Sequence, residues 1–311
     1  TWTIDTNPPD TSISGGPANG STTGPTVAFT FTSEPGATFQ CRVDSGSFSG
    51  CTSPFTITSL TDGSHTFSVH AIDAAGNVDA SPASRSWTVD AIPPAVTSVN
   101  SSTPDGSYNA GSNINVTVNF GESVTLSGSS LQVTLNTGVT IAIAPFSGVS
   151  ASGTYVVGAG QNTPDLNSVS LTLTAGVTLR DAAGNDAVLT IPSGQSLGDL
   201  REIVIDTTPP SSPTITNPIN TTTVPSTTTT FDIQGTAEAN SLVQVWNDAN
   251  DNGVIDTGEN IVASQQLTGG GTSFTISVNL ATGANNFVVT ATDAASNRSP
   301  PADVPTITRS P

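Results

Sequence analysis

The chain has 311 residues, enough for two or three domains of ordinary size, and carries 24 acidic against 6 basic residues for a net charge of −18. That balance excludes nucleic acid as a partner, because no basic surface exists to neutralise phosphates, and an anionic membrane would repel the chain unless a cation bridged the two. All six basic residues are arginine (Arg42, Arg85, Arg180, Arg201, Arg298, Arg309), so Schiff-base chemistry, the phosphate-binding lysine of nucleotide loops and Lys–Asn isopeptide cross-links are excluded as well.

Only 10% of residues are charged, and Thr, Ser, Gly, Asn and Pro fill much of the remainder. Such a chain is poor in helix formers and rich in strand and turn formers. At the N-terminus, Trp2-Thr3-Ile4-Asp5 reads as a closing strand followed by Pro8-Pro9. The same punctuation returns at Trp87-Thr88-Val89-Asp90 with Pro93-Pro94, and at Ile203-Val204-Ile205-Asp206 with Pro209-Pro210. A proline pair stiffens a junction and cannot continue a sheet ladder. A second mark precedes each closing strand: Asp73-Ala74-Ala75-Gly76-Asn77, Asp181-Ala182-Ala183-Gly184-Asn185 and Asp293-Ala294-Ala295-Ser296-Asn297. Recurring punctuation of this kind marks a tandem array. It divides the chain into the end strand of a preceding repeat at 1–5 and repeats over 6–90, 91–206 and 207–311. Trp2–Asp5 then has two readings. It is a remnant of an array cut within a longer chain, which the other junctions favour, or a donor strand that completes a neighbouring molecule's sheet. With no initiator Met and no leader, the chain reads as a mature product or an excised piece.

Inside the repeats, short alternating runs are broken by turn residues. Val27–Phe31, His65–Ala71, Ile114–Phe120 and Phe287–Ala291 are examples. Alternation means one buried and one wet face, as in stacked antiparallel sheets, and repeats of ~100 residues with about seven short strands fit an immunoglobulin-like sandwich. The expected fold class is all-β: tandem immunoglobulin-like β-sandwich domains in an elongated array. In repeat 1, Cys41 and Cys51 flank an Asp44-Ser45-Gly46 turn, so a hairpin brings the sulfurs together as a short-loop disulfide of a secreted protein. His65 and His70 fall in one strand and read as ordinary strand residues. In repeat 2, Asp105-Gly106-Ser107-Tyr108 reads as a turn. In repeat 3, Thr221–Thr230 reads as an exposed extended segment or an O-glycosylated one. No apolar run of eighteen residues exists, so no membrane-inserting segment is expected.

The run Asp248–Glu259 carries the most chemistry. Asp248, Asn250 and Asn252 place side-chain oxygens at positions one, three and five of a twelve-residue loop. Gly253 takes the sharp turn at position six, Val254 offers its carbonyl at seven, Asp256 fills nine and Glu259 closes the loop at twelve. This is the ligand order of the EF-hand calcium loop, which suits a hard cation that takes six to eight oxygens. The flanks Leu242–Trp246 and Ile261–Ser264 read as strands instead of helices. Calcium would therefore pin a hairpin, and the helix-pair opening of a sensor is not expected.

These residues together resemble the bacterial immunoglobulin-like tandem repeats of large secreted surface proteins and adhesins. The resemblance rests on the run from Ala37 to Asp90 with its cysteine pair, on Pro104–Phe120 with Leu179–Asn185, and on Gly235–Trp246 followed by the acidic loop. It covers nearly the whole chain and specifies architecture better than function. In calcium-stiffened repeats of this kind metals sit between or at the ends of domains. The resemblance thus adds Asp5, Asp73, Asn77, Asp90, Asp181, Asn185, Asp206 and Asp293 as further calcium candidates. The same residues also cap turns by bonding their own backbone.

The expected function is a non-enzymatic, calcium-binding, extracellular stalk segment of a bacterial adhesin or cell-surface fibre, with Ca²⁺ as the only cofactor. Its partners are neighbouring repeats of the same or an adjacent chain, and a host or surface receptor reached through a distal region. One alternative is a self-assembling filament or surface-layer subunit of donor-strand type. Another is a spacer or carbohydrate-binding module of a secreted hydrolase, which the 5% aromatic content disfavours.

Overall fold

Val27–Thr32 shows in six residues how the sequence pattern becomes a layer. Val27, Phe29 and Phe31 are buried and Ala28, Thr30 and Thr32, which alternate with them, are exposed. The computed structural model describes residues 4–311 and repeats that logic along the chain. Three separate cores form. The first gathers Phe29, Phe31, Phe67, Val69 and Trp87, with Phe29 and Phe67 stacked at 4.3 Å. The second runs from Val96 to Ile205 and the third from Ile233 to Ile307. Each fully buried Phe, Val or Leu stabilises its layer by roughly 1.5–3 kcal/mol, which is why each repeat can hold a core of its own.

The first and third units share one topology. In the first, Ser12–Gly15, Val27–Thr32 and Phe55–Ile57 form one sheet. It faces a five-stranded sheet ordered Thr22–Thr23, Ala83–Val89, Gly63–Ile72, Thr38–Val43, Ser49–Cys51. In the third, Thr214–Asn217, Thr230–Thr236 and Ser273–Asn279 face Thr222–Val224, Ala302–Arg309, Gly283–Thr292, Leu242–Asn247 and Ile261–Gln266 in the matching order. The second unit is built around the fifteen-residue strand Asn113–Ser127, paired with Val96–Asn100, Ser147–Val156 and Thr178–Arg180. Leu131–Leu135, paired with Thr140–Ile143 and Ser168–Leu173, makes the opposing layer. A short helix, Leu197–Leu200, precedes the closing strand Ile203–Ile205. The fold is thus a tandem of β-sandwiches of immunoglobulin type.

Among the described residues no helix is long and apolar enough to cross a membrane. The turn expected at Asp105–Tyr108 is corrected: Gly106–Tyr108 is a strand that pairs in parallel with Ile203–Ile205. Its short alternation was masked by the Pro104-Asp105-Gly106 turn residues beside it, and a partner about a hundred residues away decides its state. Part of the Thr-rich run, Thr222–Val224, likewise pairs in parallel with Ala302–Arg309. Trp2 and Thr3 of the candidate end strand lie outside the described residues. Ile4 is 87% exposed.

Candidate metal centres

The Asp-Ala-Ala-x-Asn turns sit where one repeat meets the one before it, and all three are built alike. Asp73, Asp181 and Asp293 each take the backbone N–H of the asparagine four residues on at 2.8–2.9 Å. The other carboxylate oxygen takes that asparagine's amide at 2.7–2.9 Å. These bonds hold the Asp73 carboxyl below its ordinary range, the Asn77 amide being the main cause. The same Asn amide also donates backwards along the chain. Asn77 reaches the Asp5 carbonyl at 3.1 Å, Asn185 the Asp90 carbonyl at 3.0 Å and Asn297 the Asp206 carbonyl at 2.9 Å. Each asparagine therefore clamps its repeat to the junction segment that enters it. The turn needs a left-handed residue at its fourth position: Gly76 at φ 92°, Gly184 at φ 94° and, in the third copy, Ser296 at φ 70°.

One of these junctions gathers a third carboxylate that the sequence did not single out. Oxygens of Asp90, Glu122 and Asp181 lie within 4.8 Å of one another. Burial and then the charges of Asp90 and Asp181 push the Glu122 carboxyl up. Glu238 is pushed up likewise, by burial and then by Asp293 and Asp206. Each junction acid also closes a tight turn: the N–H two residues on donates to Asp5, Asp90 and Asp206 at 3.0, 3.1 and 2.9 Å. Like charges held this close cost free energy unless a proton or a cation sits among them.

The acidic loop of the third repeat joins Leu242–Asn247 to Ile261–Gln266, an antiparallel pair. All six expected positions belong to one hydrogen-bonded network. Asp248, only 3% exposed, accepts the N–H groups of Asn252 and Gly253 at 3.2 and 2.8 Å. Glu259 accepts the N–H groups of Ala249 and Asp256, both at 2.8 Å. Asp256 accepts the side-chain amides of Asn250 and Asn252 at 2.9 and 2.7 Å, which lowers its pKa. Val254 donates its N–H to Asn252 Oδ1 at 3.0 Å. Two further acids were not foreseen. Asp251 and Asp303, the latter on the closing strand Ala302–Arg309, come within 4.8 Å of Asp248. Burial, then Asp251 and Asp248, push the Asp303 carboxyl up.

The donors of these centres are oxygens of Asp, Asn, Glu and the backbone, with no histidine or cysteine among the candidates. That chemistry fits a hard divalent ion such as calcium and does not fit a soft transition ion. One adjustment is required in the loop: Asn250 and Asn252 present amide nitrogens to Asp256 and would turn their oxygens inward to ligate.

Cys41 and Cys51 are joined, and their position has a parallel. They staple the Thr38–Val43 and Ser49–Cys51 hairpin, which occupies the same place in the first repeat as the acidic-loop hairpin does in the third. One edge hairpin is therefore held covalently and its counterpart by an oxygen-rich loop. The outer face of the first hairpin carries a stack, Arg42 over Phe48 at 4.7 Å and Phe48 against His70 at 4.2 Å. His65 lies in the strand Gly63–Ile72, is 8% exposed, and its ring nitrogens face Asp44 Oδ2 at 2.9 Å and the Thr61 carbonyl at 2.7 Å. A groove of about 770 Å³ beside this hairpin is lined by Ala37, Phe39, Cys51 and Phe55 among others and contains no titratable side chain.

No family model matches the chain, and no curated protein matches it. Solved structures do. A bacterial ice-binding adhesin of 1.5 MDa, studied for its retention on the host cell surface, aligns with 98% of this chain and 99% of its own at 16% identity and a TM-score of 0.41. The Escherichia coli adhesin FdeC aligns over 98% and 99% at 15% identity and 0.38. The fibronectin(III)-like modules of Clostridium thermocellum CbhA align over 64% and 94% at 15% identity and 0.30.

Proposed function

We propose that this chain is a calcium-stiffened segment of a bacterial surface adhesin or fibre, a mechanical spacer and not a catalyst. The observation that supports it is the repeated junction: an Asn clamp on the preceding Asp carbonyl, with acids gathered beside it at Asp90, Glu122 and Asp181, and with Glu238 pushed up by burial and then by Asp293 and Asp206 at the next one. Asp5 with Asp73 stands in the corresponding place in the first repeat. Bound calcium supplies positive charge among these carboxylates. The chain's own residues do the rest. The Asn clamps hold neighbouring repeats in one orientation, and the proline pairs remove rotational freedom from the linkers. Asp248, Asn250, Asn252, Val254, Asp256 and Glu259 would hold calcium in the third repeat and order its edge hairpin. The disulfide is consistent with an oxidising, extracellular setting.

The test is small-angle scattering of the chain in calcium and in excess chelator, with Trp246 fluorescence read in parallel. Trp246 lies on the strand that enters the acidic loop and donates its ring N–H to Thr290 at 3.0 Å. A rod that loses stiffness on chelation, with a saturable Trp246 response abolished by Asp248→Asn, supports the reading. Scattering and fluorescence indifferent to calcium would overturn it, and calcium-driven growth into larger species would favour the filament alternative.

A further inference from the structure

Only two Asn-Gly pairs occur in the chain, Asn19-Gly20 and Asn252-Gly253, and their surroundings differ. Such a pair can convert itself. The glycine nitrogen attacks the asparagine side-chain carbon, a five-membered imide forms as ammonia leaves, and water reopens the ring to aspartate or isoaspartate. Glycine, lacking Cβ, leaves the approach open. The slow step needs the backbone proton removed and the amide carbonyl polarised, and positioned groups accelerate such proton transfers.

Both requirements are met at the second pair. The Gly253 N–H donates to Asp248 Oδ2 at 2.8 Å, and that carboxylate is 3% exposed. The Val254 N–H donates to Asn252 Oδ1 at 3.0 Å, drawing electrons from the carbon under attack. The Asn252 amide nitrogen donates to Asp256 Oδ2 at 2.7 Å, which holds the side chain in one orientation. Asn252 itself is exposed, so water reaches the imide. At the first pair none of these groups is a carboxylate: the Gly20 N–H donates to the Ser86 carbonyl at 2.8 Å, and Asn19 Oδ1 takes the Ser86 N–H at 2.8 Å.

We propose that Asn252 is a self-modifying position, converted by its own loop into a carboxylate. The Gly253 N–Asn252 Cγ bond forms while Asp248 takes the backbone proton. The Cγ–Nδ2 bond breaks and ammonia departs with that proton. Water then adds to one imide carbonyl and cleaves one C–N bond, so the net change is amide plus water to carboxylate plus ammonia, with no oxidant or reductant. Opening to aspartate adds one negative charge at loop position five, and cation affinity in such loops rises with ligand charge. Opening to isoaspartate inserts a methylene into the backbone and disrupts the loop. This consequence for calcium rests on the proposed function, whereas the modification itself does not.

The test is peptide-mapping mass spectrometry of the intact chain aged at neutral pH and 37 °C in chelator. The two Asn-Gly sites are read in the folded wild type, in folded Asp248→Asn and in urea-unfolded wild type. The expected result is conversion at Asn252 several-fold faster than at Asn19, faster than in the unfolded chain, and slowed by Asp248→Asn. Equal rates at both sites, or slower conversion at Asn252 than in the unfolded chain, overturn the proposal. So does Asp248→Asn leaving the Asn252 rate unchanged or raising it towards the unfolded value. Calorimetry with calcium on the separated aspartate and unconverted forms then reads the consequence. Absence of calcium binding to either form would sink the calcium reading of the loop and leave the conversion standing.

Discussion

Glu122→Gln carries a prediction whose sign depends on calcium. The three carboxylates of the junction lie within 4.8 Å of one another, so each pair repels by about 0.9 kcal/mol at a water-like dielectric and by about 3.5 kcal/mol at an effective dielectric of 20. Removing the Glu122 charge deletes two of these pairs. Asp90 and Glu122 are only half-buried, so the water-like end applies, and salt screening brings the gain from the two pairs to about 1 kcal/mol. In chelator the variant is therefore more stable than wild type, with a melting transition for the second repeat raised by roughly 3–8 °C. In calcium the order reverses. The amide keeps an oxygen but not its charge, and a tenfold loss of affinity alone removes about 1.4 kcal/mol of calcium-linked stabilisation. Differential scanning calorimetry of both proteins in chelator and in millimolar calcium reads both signs. A variant less stable than wild type by equal amounts in the two buffers would refute the reasoning, because Glu122 would then be a packing residue and not one of a set of repelling charges.

Asn185→Ala removes the amide that serves both Asp90 and Asp181, and is expected to weaken the junction by about 1–2 kcal/mol and to broaden the interdomain distance distribution in calcium and chelator alike, measured between spin labels placed in repeats one and two. Cys41→Ser with Cys51→Ser opens a loop with a sequence separation of 10, a change expected to cost the first repeat about 2.7 kcal/mol in urea titrations while leaving the calcium response of Trp246 unaltered. The His65 pKa is raised by its bond to the Thr61 carbonyl and then by Asp44. The proton is thus bound more tightly folded than unfolded. Its stabilisation is full below the unfolded value of about 6.5 and is lost as pH rises through the higher folded value. Urea midpoints of the first repeat should therefore fall across that window, and His65→Gln should flatten the profile.

The sequence by itself determined what depends on neighbours along the chain. Alternation in Val27–Thr32 or Ser273–Asn279 specifies which face is buried whatever lies opposite, because successive strand side chains point to opposite sides. The cysteine pair, the proline-marked junctions and the order of oxygens from Asp248 to Glu259 were legible for the same reason: each is complete within about a dozen residues. The tertiary structure decided what depends on distant segments. Glu122 lies within the strand Asn113–Ser127 and Glu238 just after Thr230–Thr236, but nothing local shows that Glu122 faces Asp90 and Asp181, 32 positions before it and 59 after it. Asp303 joins Asp248 only because the closing strand pairs beside the strand that enters the loop's sheet partner. The Asn clamps are the same case: Asn185 finds the Asp90 carbonyl across 95 residues because each turn packs onto the linker that enters its own repeat. Pattern reaches as far as the backbone's own period. Beyond that, which charges meet is set by how whole strands stack, since a carboxylate's free energy depends on the groups folded against it.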